Sequence, residues 1–206
     1  LEGEKSNHHN SQLRVIARGD VLRMAVLEAR HQGKSVGLVP TMGALHEGHL
    51  SLVDVSCREN DITMVSIFVN PTQFNDPEDL KRYPRDLEAD LNTLQSRGCQ
   101  VVFAPTVEEI YPSGHETYVE VGPTAAPFEG KHRPGHFRGV ATVVLKLFHL
   151  APVDRAYFGQ KDYQQTLVVR QMVQDFNVPI EICVCPTVRE PNGLAMSSRN
   201  VNLSDD

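Results

Sequence analysis

Along this chain, continuous apolar runs alternate with segments in which apolar and polar residues recur with a helical spacing. Continuous apolar runs predict five buried strands, at residues 35–39, 62–69, 101–104, 155–158 and 180–184. Between these runs, apolar residues recur every three or four positions, as in Leu22, Val26 and Ala29, which predicts amphipathic helices. Strands that alternate with helices favour an α/β fold, here a Rossmann-like doubly wound parallel sheet with right-handed crossovers.

Local signals predict where several elements begin and end. Asp20 is expected to cap the first helix, and Asp86 a later one, because aspartate side chains accept from free backbone N–H groups at helix starts. Pro40 is expected to stop the first strand, since proline lacks a backbone donor. Residues 111–131 contain prolines, glycines and the alternating run at 117–121, which predicts a small β excursion.

Composition and charge narrow the class of protein. The chain has 206 residues, 40% hydrophobic and 22% charged, as in an ordinary globular domain, and we expect residues 13–206 to form one. A formal charge of −6 argues against nucleic acid or an anionic membrane as the main partner. Four cysteines without a metal-type spacing, and no spanning or signal segment, favour reduced thiols in the cytoplasm. We expect residues 1–12 to be a disordered leader or a cloning remnant.

The segment after the first strand, residues 40–49, carries the most informative pattern. His46 and His49 flank the point where a helix should begin, and backbone N–H groups at a helix start favour an anion. Two imidazoles beside them can donate hydrogen bonds to phosphate oxygens whose charge grows during a reaction. The alternative is a plain turn with surface histidines.

Three other polar loops follow predicted strands, and in a doubly wound sheet ligands bind at the carboxyl ends of the strands. The loop at 70–74 offers Gln73, an amide suited to a polar, uncharged group, although a solvated loop residue is the alternative. The loop at 158–165 places Lys161 and Gln165 at the start of a helix; neighbouring Asp162 is either a ligand contact or a charge favoured by the helix dipole. The loop at 187–200 ends in Ser197, Ser198 and Arg199, which suit polyphosphate.

Taken together, these loops closely resemble the pantothenate synthetase (pantoate–β-alanine ligase) family. The resemblance covers about residues 33–203 and rests on four motifs: PTMGALHEGH at 40–49, VNPTQF at 69–74, FGQKDYQQ at 158–165 and GLAMSSRN at 193–200. It implies the nucleotide-binding fold shared with nucleotidylyltransferases and class I aminoacyl-tRNA synthetases. It also implies that ATP, with Mg²⁺, drives the joining of pantoate and β-alanine through a pantoyl-adenylate, with release of AMP and pyrophosphate, in pantothenate and coenzyme A synthesis. A cytoplasmic homodimer is expected.

The resemblance also implies roles for individual residues. His49 would be the proton donor and His46 a phosphate contact, Lys161 would lie on the phosphates, and the Val188 backbone would meet adenine. Gln73 and Gln165 would hold pantoate, with Gln73 also near β-alanine. The catalytic set is expected to be His46, His49, Lys161, Ser197, Ser198 and Arg199. The residues expected to bind ATP are Met42, Gly43, Ala44, Leu45, His46, Glu47, Gly48, His49, Gly159, Gln160, Lys161, Asp162, Val188, Met196, Ser197, Ser198 and Arg199.

The chain departs from the family pattern at three places. The acidic pair on the helix after the second strand is Ala89-Asp90, so Asp90 is the one expected magnesium ligand. The third loop has Gln160 where the family often has glutamate. Family members continue into a smaller C-terminal lid domain beyond Asp206; we therefore expect the nucleotide-binding domain alone, with weak ATP binding, a mobile 197–199 loop when empty, and low activity.

Two other classes of function have to be weighed. A nucleotidylyltransferase would transfer AMP or CMP without a small-acid site, and Gln73 and Gln165 argue against it because they offer such a site. A non-catalytic ATP-binding regulatory module would not require the histidines, Lys161 and the 197–199 segment together.

Overall fold

One parallel sheet of six strands organises the protein. The structure, a computed structural model, describes residues 13–200; the predicted leader at 1–12 lies outside them. The strands run in the spatial order β1-β4-β3-β2-β5-β6, and every neighbouring pair is parallel. They are β1 (Arg14–Ile16), β2 (Val36–Thr41), β3 (Ile62–Ile67), β4 (Val101–Phe103), β5 (Arg155–Gly159) and β6 (Glu181–Cys185). The predicted doubly wound parallel sheet is confirmed.

Helices cover both faces of the sheet, because successive strand side chains point to opposite sides. Leu38 packs on the side of α1, α7 and α8, whereas Val39 packs on the side of α2 and α4. The helices are α1 (Gly19–His31), α2 (Glu47–Glu59), α3 (Pro77–Arg82), α4 (Leu87–Ser96), α5 (Val107–Ile110), α6 (Glu129–His132), α7 (His136–Leu150) and α8 (Tyr163–Asp175).

Two predicted element boundaries are wrong, and a third is confirmed. Arg18, not Asp20, occupies the cap position of α1; Asp20 lies in the first turn, and the Gly19 N–H donates to Glu109 Oε1 at 2.8 Å instead. Strand β2 continues through Pro40 to Thr41, since Pro40 lies beyond the last β2–β5 pair and interrupts no ladder there. Asp86 caps α4 as predicted, accepting from the Ala89 N–H at 3.0 Å.

The predicted β excursion is also wrong. Residues 111–131, all of them described, contain two short helical turns and no strand. The alternating run packs against α7 instead of pairing with a backbone: the Val119 N–H donates to Thr142 Oγ1 at 2.9 Å, and the Arg138 guanidinium lies 4.1 Å from the ring centroid of Tyr118. The three-residue strand β1, which pairs with β4, was too short to stand out in the sequence.

The four cysteines differ in burial. All four cysteines lie within the described residues and are free thiols; Cys99 and Cys185 are buried, and Cys57 and Cys183 are half-buried. Cys183 and Cys185 pack on the same face of the sheet, as their spacing predicts.

No helix within residues 13–200 has the length and apolar character needed to cross a membrane.

Candidate active site

The two histidines of the first loop are held by backbone groups at the start of α2. His46 is the cap residue, and its Nδ1 accepts from the Gly48 N–H at 3.1 Å. The His46 N–H in turn points to His49 Nδ1 at 3.4 Å, and the ring centroids lie 4.1 Å apart. Since both Nδ1 atoms accept, a neutral ring carries its proton on Nε2, which is left to donate to a ligand.

Gly48 is required beside the capping ring. A Cβ on Gly48 would lie 2.8 Å from His46 Cε1, so any side chain there would displace the imidazole. The glycine of the H-x-G-H pattern therefore allows His46 to lie against the helix start.

Burial sets the charge of both rings. The pKa of His49 is lowered to about 3, mainly by burial and also by the positive charges that His46 and Lys161 can carry. Burial also lowers the pKa of His46, with Lys161 acting in the same direction. At neutral pH the site therefore presents two neutral N–H donors rather than two cations.

The turn before the histidines is held by Asp90 of α4. Asp90 Oδ2 accepts from the Ala44 N–H at 3.0 Å, and Oδ1 accepts from the Leu45 N–H at 2.8 Å. The side chain is buried, and among residues 13–200 no cluster of three His, Cys, Asp or Glu side chains offers a metal site. Both Asp90 oxygens thus accept from backbone N–H groups of the turn, and its expected role as a magnesium ligand stays a prediction.

Gln73 lies in a short helical turn at Pro71–Gln73 that packs on α7. Its amide group accepts from Asn70 Nδ2 at 3.0 Å and points to the Met42 sulfur at 3.1 Å. The Gln73 carbonyl accepts from His136 Nδ1 at 2.8 Å, so two elements hold the turn in place. Gly139 makes this approach possible, since a Cβ there would lie 2.5 Å from the Thr72 carbonyl oxygen.

The third loop brings Lys161 and Gln165 to the same side of the sheet. Lys161 is partly exposed, and its Nζ lies 3.0 Å from Asp162 Oδ1. Gln165, one turn into α8, lines the same cavities as His49 and Asp162. Gln160 lines a further opening with Thr187 and Arg189, which Lys161 also borders.

Residues 197–199 are attached to α3 and the residue that follows it. Ser198 Oγ lies 3.3 Å from the Tyr83 hydroxyl, and Arg199 Nη2 lies 2.8 Å from Asp79 Oδ2. Within the segment, the Arg199 N–H donates to Ser197 Oγ at 3.2 Å. The Arg199 guanidinium is thus paired with a carboxylate.

Three adjoining cavities meet at His49, Asp162 and Gln165. The first has an apolar wall and three amides; its lining includes Asn70, Gln73, Val140, Val143, Val144 and Leu147. The second is polar, with a volume of about 110 Å³, and its lining includes His46, Arg133, His136, Lys161, Ser197, Ser198 and Arg199. The third lies along β5 and the last loop; its lining includes Gly48, Gly159, Lys161, Thr187, Val188 and Met196.

Some predicted residues do not bring their side chains to these cavities. Glu47 faces outward and pairs with Arg97, with Oε1 and Nη2 2.7 Å apart. Leu45 packs in the core beneath the loop, and Ala44 offers its backbone to Asp90. None of these three residues lines the cavities.

The sequence patterns did not predict four polar residues that line the second cavity: Tyr83, Glu129, Arg133 and His136. Arg133 Nη1 lies 3.2 Å from His136 Nε2, at the start of α7. The sequence did contain a signal for Arg133 and His136. They flank Pro134-Gly135, a turn that comes directly before an apolar helix, so a cation and an imidazole are expected together at the start of that helix. Tyr83 had no such signal, since a single aromatic residue in an irregular segment is unremarkable.

Comparison with known proteins identifies the family of the chain. The model of the family described as pantoate-beta-alanine ligase matches residues 14–206. The chain belongs to the pantoate–β-alanine ligase family. Among curated members, pantothenate synthetase of Roseiflexus castenholzii is 66% identical over 170 residues, covering 82% of this chain and 61% of that protein. That of Acetivibrio thermocellus is 56% identical, covering 94% of this chain and 69% of that protein.

Solved structures of the family have the same fold. Pantothenate synthetase from Thermus thermophilus superposes with a TM-score of 0.88 at 55% identity, covering 94% of this chain and 68% of that one. The ligase from Francisella tularensis, complexed with beta-gamma ATP and β-alanine, gives a TM-score of 0.90 at 44% identity, covering 94% and 74%. The chain thus spans roughly two thirds of the length of these relatives, 61% of the Roseiflexus protein.

Proposed function

We propose that this chain binds ATP and pantoate and joins pantoate to β-alanine through a pantoyl-adenylate, releasing AMP and pyrophosphate. The observation that carries the proposal is the meeting of three cavities at His49 and Gln165, one lined by amides and valines and two by the histidines, Lys161 and the last loop. The Francisella relative, a complex with an ATP compound and β-alanine, supports the substrate classes.

Pantoate is assigned to the cavity with the apolar wall. Its two methyl groups match Val140, Val143 and the other apolar side chains of α7, while its hydroxyls and carboxylate need polar partners. Gln73 and Gln165 are the polar partners, and Gln73 is held in position by Asn70 and His136. A nucleotidylyltransferase would have no use for this cavity.

ATP is assigned to the other two cavities. The adenosine part would lie along Gly159, Val188 and Met196, and the phosphates would lie at His46, His49 and Lys161. Residues 197–199 would close on the phosphates from the opposite side. A cation and neutral N–H donors around a polyphosphate suit both binding and charge stabilisation.

The reaction has two steps in this site. A pantoate carboxylate oxygen attacks the α-phosphorus of ATP, and the bond to pyrophosphate breaks; His46, His49 and Lys161 stabilise the charge that develops on the phosphates. The amine of β-alanine then attacks the acyl carbon, loses a proton, and AMP leaves. The protein contributes mainly alignment, which supplies on the order of 7–11 kcal/mol in such reactions.

Mg²⁺ accompanies ATP in this proposal, as the family resemblance implies, where it would neutralise phosphate charge. We assign no residue of the chain to hold it. A homodimer and a cytoplasmic location likewise remain predictions from the sequence.

The test is AMP formation by the purified chain from ATP and pantoate, with and without β-alanine. We expect sustained AMP release only when both pantoate and β-alanine are present, together with an equal amount of pantothenate. AMP transfer to another acceptor, or ATP binding with no AMP in any mixture, would contradict the proposal and favour a nucleotidylyltransferase or a regulatory module.

A further inference from the structure

We propose that Asp90 is a positioning residue: its carboxylate holds the turn at residues 43–45, and through it His46 and His49, instead of binding magnesium. The effect on ATP rests on the proposed function, whereas the effect on the turn does not. Asp90 lies in the first turn of α4, 46 residues beyond Ala44, one of the two residues whose N–H groups it accepts from.

The carboxylate is matched to two consecutive backbone donors. Oδ2 accepts from Ala44 and Oδ1 accepts from Leu45, at 3.0 and 2.8 Å, and the residue is only 5% exposed. A Cβ on Gly43 would lie 2.9 Å from Oδ2, so the carboxylate packs directly on the glycine. This is close contact with the main chain over three successive residues.

The turn needs such support because its backbone is unusual. Gly43 and Ala44 both have positive φ, +82° and +51°, a conformation that alanine rarely adopts. The charge-assisted hydrogen bonds from the Ala44 and Leu45 N–H groups to Asp90 offset the free-energy cost of that conformation. His46 caps α2 directly after Leu45, so the direction in which the turn leaves Asp90 determines where the His46 and His49 rings lie.

The surroundings of Asp90 separate it from the proposed phosphate site. The cavity that Asp90 lines, about 400 Å³, is bounded mostly by apolar side chains such as Ile67, Leu80 and Val107. His46, His49 and Lys161 do not line it. A cation held by Asp90 would have to bind at the lone pairs that the two amides leave free, beside these apolar side chains. The geometry therefore favours the backbone as the partner of this carboxylate.

The test compares Asp90→Asn with Asp86→Asn, which removes the same charge from the same helix. Asparagine caps helices as well as aspartate does, so the control keeps its bond to Ala89. At position 90, in contrast, the amide NH₂ must face one of two backbone donors, so one hydrogen bond is lost. The readouts are hydrogen exchange of the Ala44 and Leu45 amides, and calorimetric binding of ATP in EDTA and over a Mg²⁺ titration.

In Asp90→Asn we expect exchange of these amides to speed up about tenfold or more, and metal-free ATP to bind about tenfold more weakly. The Mg²⁺ concentration for half-maximal effect should stay as in wild type, and Asp86→Asn should match wild type throughout. Gly43→Ala puts a Cβ against Asp90 Oδ2 and so separates the carboxylate from the turn without removing it. This variant should show the same faster exchange and weaker ATP binding, and it replaces Asp90→Asn if that variant does not fold.

Normal amide exchange and normal metal-free binding, with a raised Mg²⁺ requirement, would overturn the proposal and make Asp90 a metal ligand. Faster exchange with unchanged metal-free ATP binding would overturn the link between turn and nucleotide. If the wild-type chain itself binds no ATP, the proposed function fails, while the exchange result still decides the role of Asp90 in the turn.

Discussion

The two sides of the proposed phosphate site are built differently. On one side, His46 and His49 are fixed by main-chain hydrogen bonds at the start of α2, and their turn is fixed by a buried carboxylate. On the other side, residues 197–199 are attached through side chains, and the Arg199–Asp79 pair is 46% and 38% exposed. The first side is preorganised, and the second is held by contacts that water and salt weaken.

The difference teaches how work is divided in the site. Donors that are placed before the substrate arrives cost no reorganisation when charge develops, so they stabilise the transition state best. Arg199, in contrast, must exchange Asp79 for phosphate before it can contribute. We therefore expect substitutions on the histidine side to affect rate most, and substitutions on the Arg199 side to affect affinity modestly.

The largest effect is expected for His49→Ala. Removing a preorganised donor should slow adenylate formation about 100- to 1000-fold, while ATP affinity changes much less. Rapid-quench measurement of pantoyl-adenylate gives the rate, and His149→Ala, an exposed histidine on α7, is the control. Adenylate formation within a few-fold of wild type would remove His49 from the chemistry.

Lys161→Ala should have the next largest effect. Loss of the cation beside the histidines should weaken ATP binding about tenfold or more and slow the first step as well. Calorimetry with ATP checks the first part, and Lys34→Ala, an exposed lysine just before the amino end of β2, is the comparison. Unchanged affinity and rate would place Lys161 outside the site.

Gln73→Ala and Gln165→Ala should act on pantoate rather than on ATP. Each variant loses a neutral hydrogen bond, so the pantoate KM should rise about three- to tenfold with ATP binding intact. Gln174→Ala, an exposed glutamine on the same helix as Gln165, should leave the KM unchanged. If both cavity variants keep normal pantoate affinity, the substrate of that cavity is a different one.

The smallest effect is expected for Asp79→Asn, and its sign is informative. Releasing Arg199 from an exposed pair should strengthen ATP binding by no more than about fivefold, since such pairs contribute about 0.2–1 kcal/mol. Glu78→Gln removes the same charge from α3 without touching Arg199. Weaker ATP binding in Asp79→Asn would mean that Asp79 presents Arg199 to the phosphates rather than restraining it.

Local pattern was sufficient for five of the six strands and for the start of α2, because periodicity and the H-x-G-H spacing are local features, but it missed the short strand β1. The tautomers of His46 and His49 were not predictable, since they depend on which N–H meets each Nδ1. The contact between Asp90 and the turn joins segments far apart in the chain, and no local sequence pattern around Asp90 predicts it. The prediction of a β excursion at residues 111–131 was wrong because alternating apolar and polar residues indicate an extended segment, whether it packs against a strand or a helix.

The central claim is that pantoate is activated by ATP at this site, and oxygen transfer tests it most directly. Pantoate labelled with ¹⁸O in its carboxylate is mixed with ATP, β-alanine and a near-equal amount of the chain, and the AMP is analysed by mass spectrometry. We predict one ¹⁸O in each AMP, because the carboxylate oxygen that attacks the α-phosphorus leaves with it. AMP formed without the label would contradict a pantoyl-adenylate and the proposed function with it.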